Sequence, residues 1–301
     1  MLHLDRILHP TDFSPAADRA FDHALFLASA SGGPLDVLHV IEHPSIVISD
    51  NYVERAREEA KAQLSRLRRR GRQRQVALTT RIRTAGDQET AASCILDDAA
   101  ETDPALIVVG TRGRRGLTRW LIGSTAEKVA RRARQNVYVV GDEDSSGSPS
   151  FDHILAPTDF SAQARHALDV AMTWSHHFDA QLSMLHVLES HPPPGIYGMA
   201  EASDPKWTHR VEETARDELQ EWHETLQDQA PNVHAHLESG EAAAVLVDYA
   251  EENDVDLLIL GSHGRTGVER FLLGSTTEKV IRSAPCPVLV VKPSPRDGDS
   301  D

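Results

Sequence analysis

The chain contains one folding unit written twice. Residues 110–124 read GTRGRRGLTRWLIGS and residues 261–275 read GSHGRTGVERFLLGS. Both fit G-x-x-G, then nine residues, then G-S. Each follows an apolar run, LIVVG or LLILG, and each leads into a helix-like segment, TAEKVARRAR or TTEKVIRSA. A strand that ends in a glycine turn and enters a helix N-terminus is a common way to hold phosphate. The repeat reaches further upstream. DRILHPTDFS at 5–14 matches DHILAPTDFS at 152–161, and LHVIE at 38–42 matches LHVLE at 185–189, both at an offset of 147. The glycine motifs lie 151 residues apart, so the second copy carries four extra residues in between. A repeat of this length means duplicated domains, not a solenoid, whose units run about 20–50 residues.

Each copy alternates strand and helix. In the first copy the pattern predicts strands at 6–9, 35–40, 76–83, 106–109 and 137–140. Helices are expected at 15–31, 52–70 (stopping at Gly71), 90–101 and 124–134. The second copy repeats the order and closes on a strand at 288–291. Ser14 and Ser161 are placed as N-caps, and Pro15 suits a first helical position. Alternation of this kind implies an α/β fold with parallel sheets and right-handed crossovers. The chain divides into a first domain (1–141), a polar linker (142–150), a second domain (151–293) and a disordered tail (294–301).

Composition narrows the partners. The net charge is −15, which argues against nucleic acid, whose phosphate backbone calls for clustered Lys and Arg. The basic run RLRRRGRQR at 66–74 reads as a solvated helix end. No apolar stretch approaches the roughly 20 residues of a membrane span, and the N-terminal segment lacks a signal-peptide layout. A cytoplasmic location is the expectation. Cys94 and Cys286 are the two cysteines and form neither a disulfide framework nor a metal cluster. His234 and His236 share a strand face but read as surface residues rather than metal ligands.

Glycine opens backbone angles closed to other residues and lets a phosphate approach the main chain. Gly110, Gly113, Gly123 and Ser124 in copy one, and Gly261, Gly264, Gly274 and Ser275 in copy two, therefore compose candidate anion sites. Ser124–Glu127 and Ser275–Glu278 also fit the S-x-x-E capping box, which accounts for serine and glutamate but not for the upstream glycines. The loop is neither a Walker A motif, because G-K-[ST] is missing, nor G-x-G-x-x-G. Asp12 and Asp159 end the first strand of each copy. In open α/β sheets ligands lie beyond the carboxyl ends of strands, so each aspartate should face the crevice of its own glycine loop. There it can accept from an adenine amino group or a ribose hydroxyl, or it can form a local Asx turn.

P-T-D-F-S after the first strand, L-H-V at the second and G-x-x-G-x9-G-[ST] after the fourth resemble the universal stress protein family, across nearly the whole chain. The resemblance implies two tandem Rossmann-like (adenine nucleotide alpha hydrolase-like) domains, each a five-stranded parallel sheet flanked by helices. It also implies ATP as ligand, with Mg2+ or Mn2+. Carried over residue by residue, Asp12 and Asp159 would meet adenine, and Thr11 and Thr158 beside them are counted among the cofactor-binding residues. Val40 and Val187 would bring backbone groups near the base. Gly110, Arg112, Gly113, Arg114, Gly123, Ser124 and Thr125 would hold ribose and phosphates in copy one. Gly261, His263, Gly264, Arg265, Gly274, Ser275 and Thr276 would do so in copy two. The arginine-rich loop of copy one departs from the family's usual loop. The family further implies that the domains pair through their last strands as a pseudo-dimer and that two chains can pair as a homodimer.

The expected function is stress-response regulation by a nucleotide-binding protein that hydrolyses ATP slowly or not at all, since no residue stands out as a water-activating base. A true ATPase or adenylyl-transfer enzyme, and an interaction scaffold with vestigial sites, remain open. The sequence does not name a regulatory protein partner.

Overall fold

Short apolar runs flanked by amphipathic helices become strands covered on both faces. The computed structural model describes residues 2–42, 52–111, 123–141, 149–189, 205–227, 232–264 and 273–293. In copy one the order is β1 (Ile7–Pro10), α1 (Pro15–Ser31), β2 (Leu35–Ile41), α2 (Tyr52–Gln73), β3 (Leu78–Thr84), α3 (Ala91–Thr102), β4 (Leu106–Gly110), α4 (Ser124–Arg132) and β5 (Asn136–Val140). Copy two follows with β6 (His153–Thr158), α5 (Ala162–Phe178), β7 (Gln181–Leu188), α6 (Pro205–Gln227), β8 (Val233–Ser239), α7 (Ala242–Glu252), β9 (Leu257–Gly261), α8 (Ser275–Ser283) and β10 (Val288–Val291). Residues 142–148 of the expected linker and the expected tail at 294–301 lie outside the described residues.

The strands form one sheet in the order β3-β2-β1-β4-β5-β10-β9-β6-β7-β8. Within each copy the pairing is parallel, and the copies join where β5 meets β10 antiparallel, Val139 opposite Val288 and Val137 opposite Val290. Period-two alternation sends successive side chains to opposite faces. Val108, Tyr138, Leu289 and Val291 face a core shared with α1, α2, α5 and α6. Ile107, Val137, Val139, Val288 and Val290 face a second core shared with α3, α4, α7 and α8. Both cores run across the junction. On the first face it is plugged by aromatics: fully buried Tyr138 stacks on Trp174 with ring centroids 6.1 Å apart, and Phe151 packs edge-on to both.

Helix limits follow local chemistry. Ser14 Oγ accepts from Ala17 N–H (3.2 Å) and Ser161 Oγ from Ala164 N–H (3.1 Å), so both expected N-caps form. α1 stops at Gly32, which takes the left-handed conformation (φ 73°). Two expectations need correction. α2 does not stop at Gly71 but runs to Gln73. A Cβ at Gly71 would sit 3.0 Å from Leu78 Cδ1, so this glycine serves close packing of helix on strand. The chain instead reverses at Gln75 (φ 58°), which leaves Val76 and Ala77 out of β3. The capping boxes at 124–127 and 275–278 also do not form. The N-caps are Gly123 and Gly274, neither helix has a side-chain cap, and Ser124 and Ser275 are already helical. Glu127 and Glu278 are drawn elsewhere, into a ring of charges with Arg131 and Arg282. Arg131 lies 3.3 Å from both glutamates, and Arg282 lies 2.6 Å from Glu278 and 3.5 Å from Glu127.

Candidate functional site

The order 3-2-1-4-5 places a topological switch between β1 and β4, and copy two repeats it between β6 and β9. Connections leave such adjacent strands toward opposite faces, so a crevice opens beyond their carboxyl ends. Thr11, Asp12 and Gly110 stand at the first crevice, Thr158, Asp159 and Gly261 at the second. Val40 and Val187 lie near the ends of β2 and β7, half-buried.

The Pro-Thr-Asp-Phe-Ser segments fold identically. Phe13 N–H donates to Thr11 Oγ1 (3.1 Å) and Ser14 N–H to Asp12 Oδ1 (3.0 Å). In copy two the equivalent distances, Phe160 to Thr158 and Ser161 to Asp159, are both 3.0 Å. The Asx turn therefore forms in both copies, and it aims each carboxylate. Phe13 (φ 60°) and Phe160 (φ 63°) hold a backbone conformation that bulky residues rarely take. Their supports are His39 and His186. Each Nδ1–H donates to the threonine carbonyl (2.7 Å), and each ring lies 4.4 Å from the phenyl. Recurrence of L-H-V in both copies points to a shared structural or site-proximal role for these histidines, and the geometry makes it the support of the Thr-Asp-Phe turn.

The glycines divide into two kinds. At Gly110 and Gly261 close packing leaves no room for a side chain. A Cβ at Gly110 would lie 2.6 Å from Ala16 O, inside the first turn of α1, and one at Gly261 would lie 2.7 Å from Gln163 Cγ. Gly264 belongs to the crevice itself, because a Cβ there would fall 2.4 Å from Asp159 Oδ2. Aspartate and loop glycine, more than a hundred residues apart in sequence, are thus in contact. Arg112, Gly113, Arg114 and Arg265 lie outside the described residues.

Gly123 N–H donates to Thr111 O, and Gly274 N–H to Ser262 O (2.8 Å), which folds each loop end back on its strand. α4 and α8 then begin without a side-chain cap. Their first N–H groups carry the positive end of the helix dipole. Ser124 and Ser275 are exposed there, with Thr125 and Thr276 half-buried beside them. Copy two has further polar groups. Thr277 Oγ1 donates to Gly261 O (2.9 Å), and Ser262 Oγ is hydrogen-bonded to His263 Nδ1 (2.9 Å). His263 Nε2 is buried with no partner among the described residues. Burial pushes the His263 pKa down, and the nearby Lys292 charge adds to this. Lys292 itself is buried, donates to the carbonyls of Ala130 and Arg131 at the end of α4, and is pushed down to about 8 by burial.

Residues 3–141 and 150–292 each match the family model described as the universal stress protein family. This chain belongs to the universal stress protein family. A universal stress protein of Mycolicibacterium smegmatis is 30% identical over 302 residues, covering 95% of this chain and 97% of its own length. One from Methanocaldococcus jannaschii is 32% identical over 155 residues, 52% of this chain and 90% of its own length. The crystal structure of a universal stress protein from Archaeoglobus fulgidus superposes with a TM-score of 0.74 at 23% identity, covering 97% of each chain. That likeness extends the tandem fold over both copies. No described helix is long and apolar enough to cross a membrane.

Proposed function

We propose that this universal stress protein binds an adenine nucleotide, ATP by preference, in the crevices at β1/β4 and β6/β9, and that it acts as a regulator rather than a catalyst. The observation that carries the reading is the contact of Asp159 with Gly264 beside the uncapped N-terminus of α8. A carboxylate fixed by an Asx turn is a directional acceptor for an amino or hydroxyl group. An uncapped helix start a short distance along the loop suits phosphate oxygens. Adenine or ribose at one end and phosphate at the other match that polarity. Among the described residues no three His, Cys, Asp or Glu side chains converge on a metal-sized site. Mg2+ is commonly held by phosphate oxygens and water, so Mg2+ or Mn2+ enters as the companion of the nucleotide.

Denaturing the purified protein and identifying released small molecules by mass spectrometry, alongside calorimetry with ATP·Mg2+, tests the reading. Gly264→Ala displaces the Asp159 carboxylate and should weaken ATP in copy two at least tenfold, about 1.4 kcal/mol. No released nucleotide together with no ATP binding would end the proposal. Turnover well above background would make the protein an enzyme instead.

A further inference from the structure

The charge of the chain is unevenly divided. Residues 1–150 hold 21 Lys and Arg against 20 Asp and Glu, whereas residues 151–301 hold 10 against 26. Much of the positive charge of the first half is concentrated at the end of α2. There the arginines separate into two sets. Arg66 and Arg70 reach back to α1: Arg66 lies 3.4 Å from Asp18, and Arg70 pairs with Asp18 and Asp22. Arg68 and Arg72 have no carboxylate within ion-pair distance among the described residues. They stand four residues apart on one helix face, an arrangement in which like charges repel.

Between this face and β3 lies a cavity of about 330 Å3, lined by Arg68, Arg72, Val76, Leu78, Thr79 and Thr80. Its volume is within the range of small-molecule sites. β3 is an outer strand of the sheet, so alternate main-chain N–H groups along it lack a strand partner. The helix dipole accounts for cations at a helix end. It does not account for two guanidinium groups, without a carboxylate partner among the described residues, over a cavity with the Thr80 hydroxyl and an apolar floor. The corresponding seam of copy two is built differently. α6 ends in Glu221, Glu224 and Gln227, and His223 Nε2–H donates across the seam to Val233 O (2.9 Å). The feature is thus particular to copy one and is not a requirement of the repeated fold.

The geometry points to a second ligand site at the α2–β3 edge, separate from both crevices, that takes a small molecule bearing a phosphate group and a short apolar part. Arg68 and Arg72 would grip the phosphate oxygens through paired N–H donors. Thr80 would add a hydroxyl, and Val76 and Leu78 would receive the apolar part.

The test uses the full-length 15N-labelled protein and follows arginine Nε–Hε signals, assigned with Arg68→Lys and Arg72→Lys, during titration with phenyl phosphate or inorganic phosphate. Saturable shifts of Arg68 and Arg72 are expected, with phenyl phosphate at least tenfold tighter than inorganic phosphate. The double variant R68Q/R72Q should lose at least tenfold in affinity. The same binding should persist in Gly264→Ala, which separates this site from the proposed nucleotide crevice. Unsaturable shifts shared equally with Arg69 and Arg74 would reduce the feature to a diffuse counter-ion cloud and overturn the proposal. So would equal affinity for both probes, or binding that survives in R68Q/R72Q.

Discussion

Asp36 on β2 and Ser183 on β7 occupy the same place in the two copies, and the copies satisfy that place by opposite means. In copy one the Asp36 carboxylate is buried and accepts from Arg6 (2.8 Å), Arg81 (3.0 Å) and Thr79, while Arg81 also pairs with Asp98 (2.7 Å). In copy two Ser183 Oγ is hydrogen-bonded to His153 Nε2 (2.8 Å), and Tyr249 OH donates to it (3.3 Å). His9 of β1 is buried without residue exposure, whereas copy two has Ala156. A fold repeated in one chain therefore fixes where a polar group must be satisfied, not whether the answer is ionic or neutral. The ionic answer is the more brittle one. Removing one partner of a buried pair leaves charge without compensation, whereas a lost neutral hydrogen bond costs far less.

The largest expected effect tests that contrast. Asp36→Ala, which removes a buried carboxylate from three donors, should destabilise by about 2 kcal/mol and Ser183→Ala by about 1 kcal/mol, measured by urea unfolding. Equal effects would break the comparison. Next is the packing glycine. Gly110→Ala drives a methyl into the main chain of α1 and should cost about 2 kcal/mol, whereas at Gly261 the nearest atom is a glutamine side chain that can move, so Gly261→Ala should cost about 1 kcal/mol.

Acid should then loosen copy one first. His9 is pushed down to about 4, chiefly by burial. The unfolded chain, with an ordinary histidine near 6.5, takes up the proton that the folded chain refuses, so stability is lost as pH falls from about 6.5 toward 4. Between pH 7.5 and 5 this amounts to about 2 kcal/mol. Against the desolvation that raises it, Asp36 is held below the usual carboxylate range by hydrogen bonds from Thr79, Arg6 and Arg81. Its contribution survives that window and fades as pH falls further, through its folded pKa. Hydrogen exchange at pH 7.5 and 5 should show β1 and β4 losing protection ahead of β6 and β9. The smallest effect belongs to the four-charge ring across the copies, whose side chains are about a third exposed. Glu278→Gln should cost about 0.5 kcal/mol, and the difference should vanish in 1 M salt.

What could be read in the sequence was what local chemistry dictates. Ser14 before Pro15 fixed the start of α1, and the apolar run 288–291 became β10 with its limits unchanged. Asp12, Asp159 and the loop glycines were identified by recurrence, and Asp159 does meet Gly264. The reading failed where the reason lies far along the chain. Glu127 and Glu278 have the spacing of capping boxes, but their partners include arginines of the other copy, a pairing no local window contains. Gly71 resembles a helix stop, yet its cause is Leu78 across the next turn. At Gly110 and Gly261 packing adds its own demand for glycine, because an added Cβ would press on Ala16 and Gln163, which no local window contains.

The antiparallel meeting of β5 and β10 has a practical consequence. Each copy taken alone would bare that strand, together with the aromatic plug around Tyr138 and Trp174, as an adhesive face made to fit its sister. Cutting the polypeptide within 142–148 should therefore not liberate two domains. It should yield two halves that re-find each other, so the protein is a ready-made pair for fragment complementation, with a candidate ligand crevice on either side of the cut.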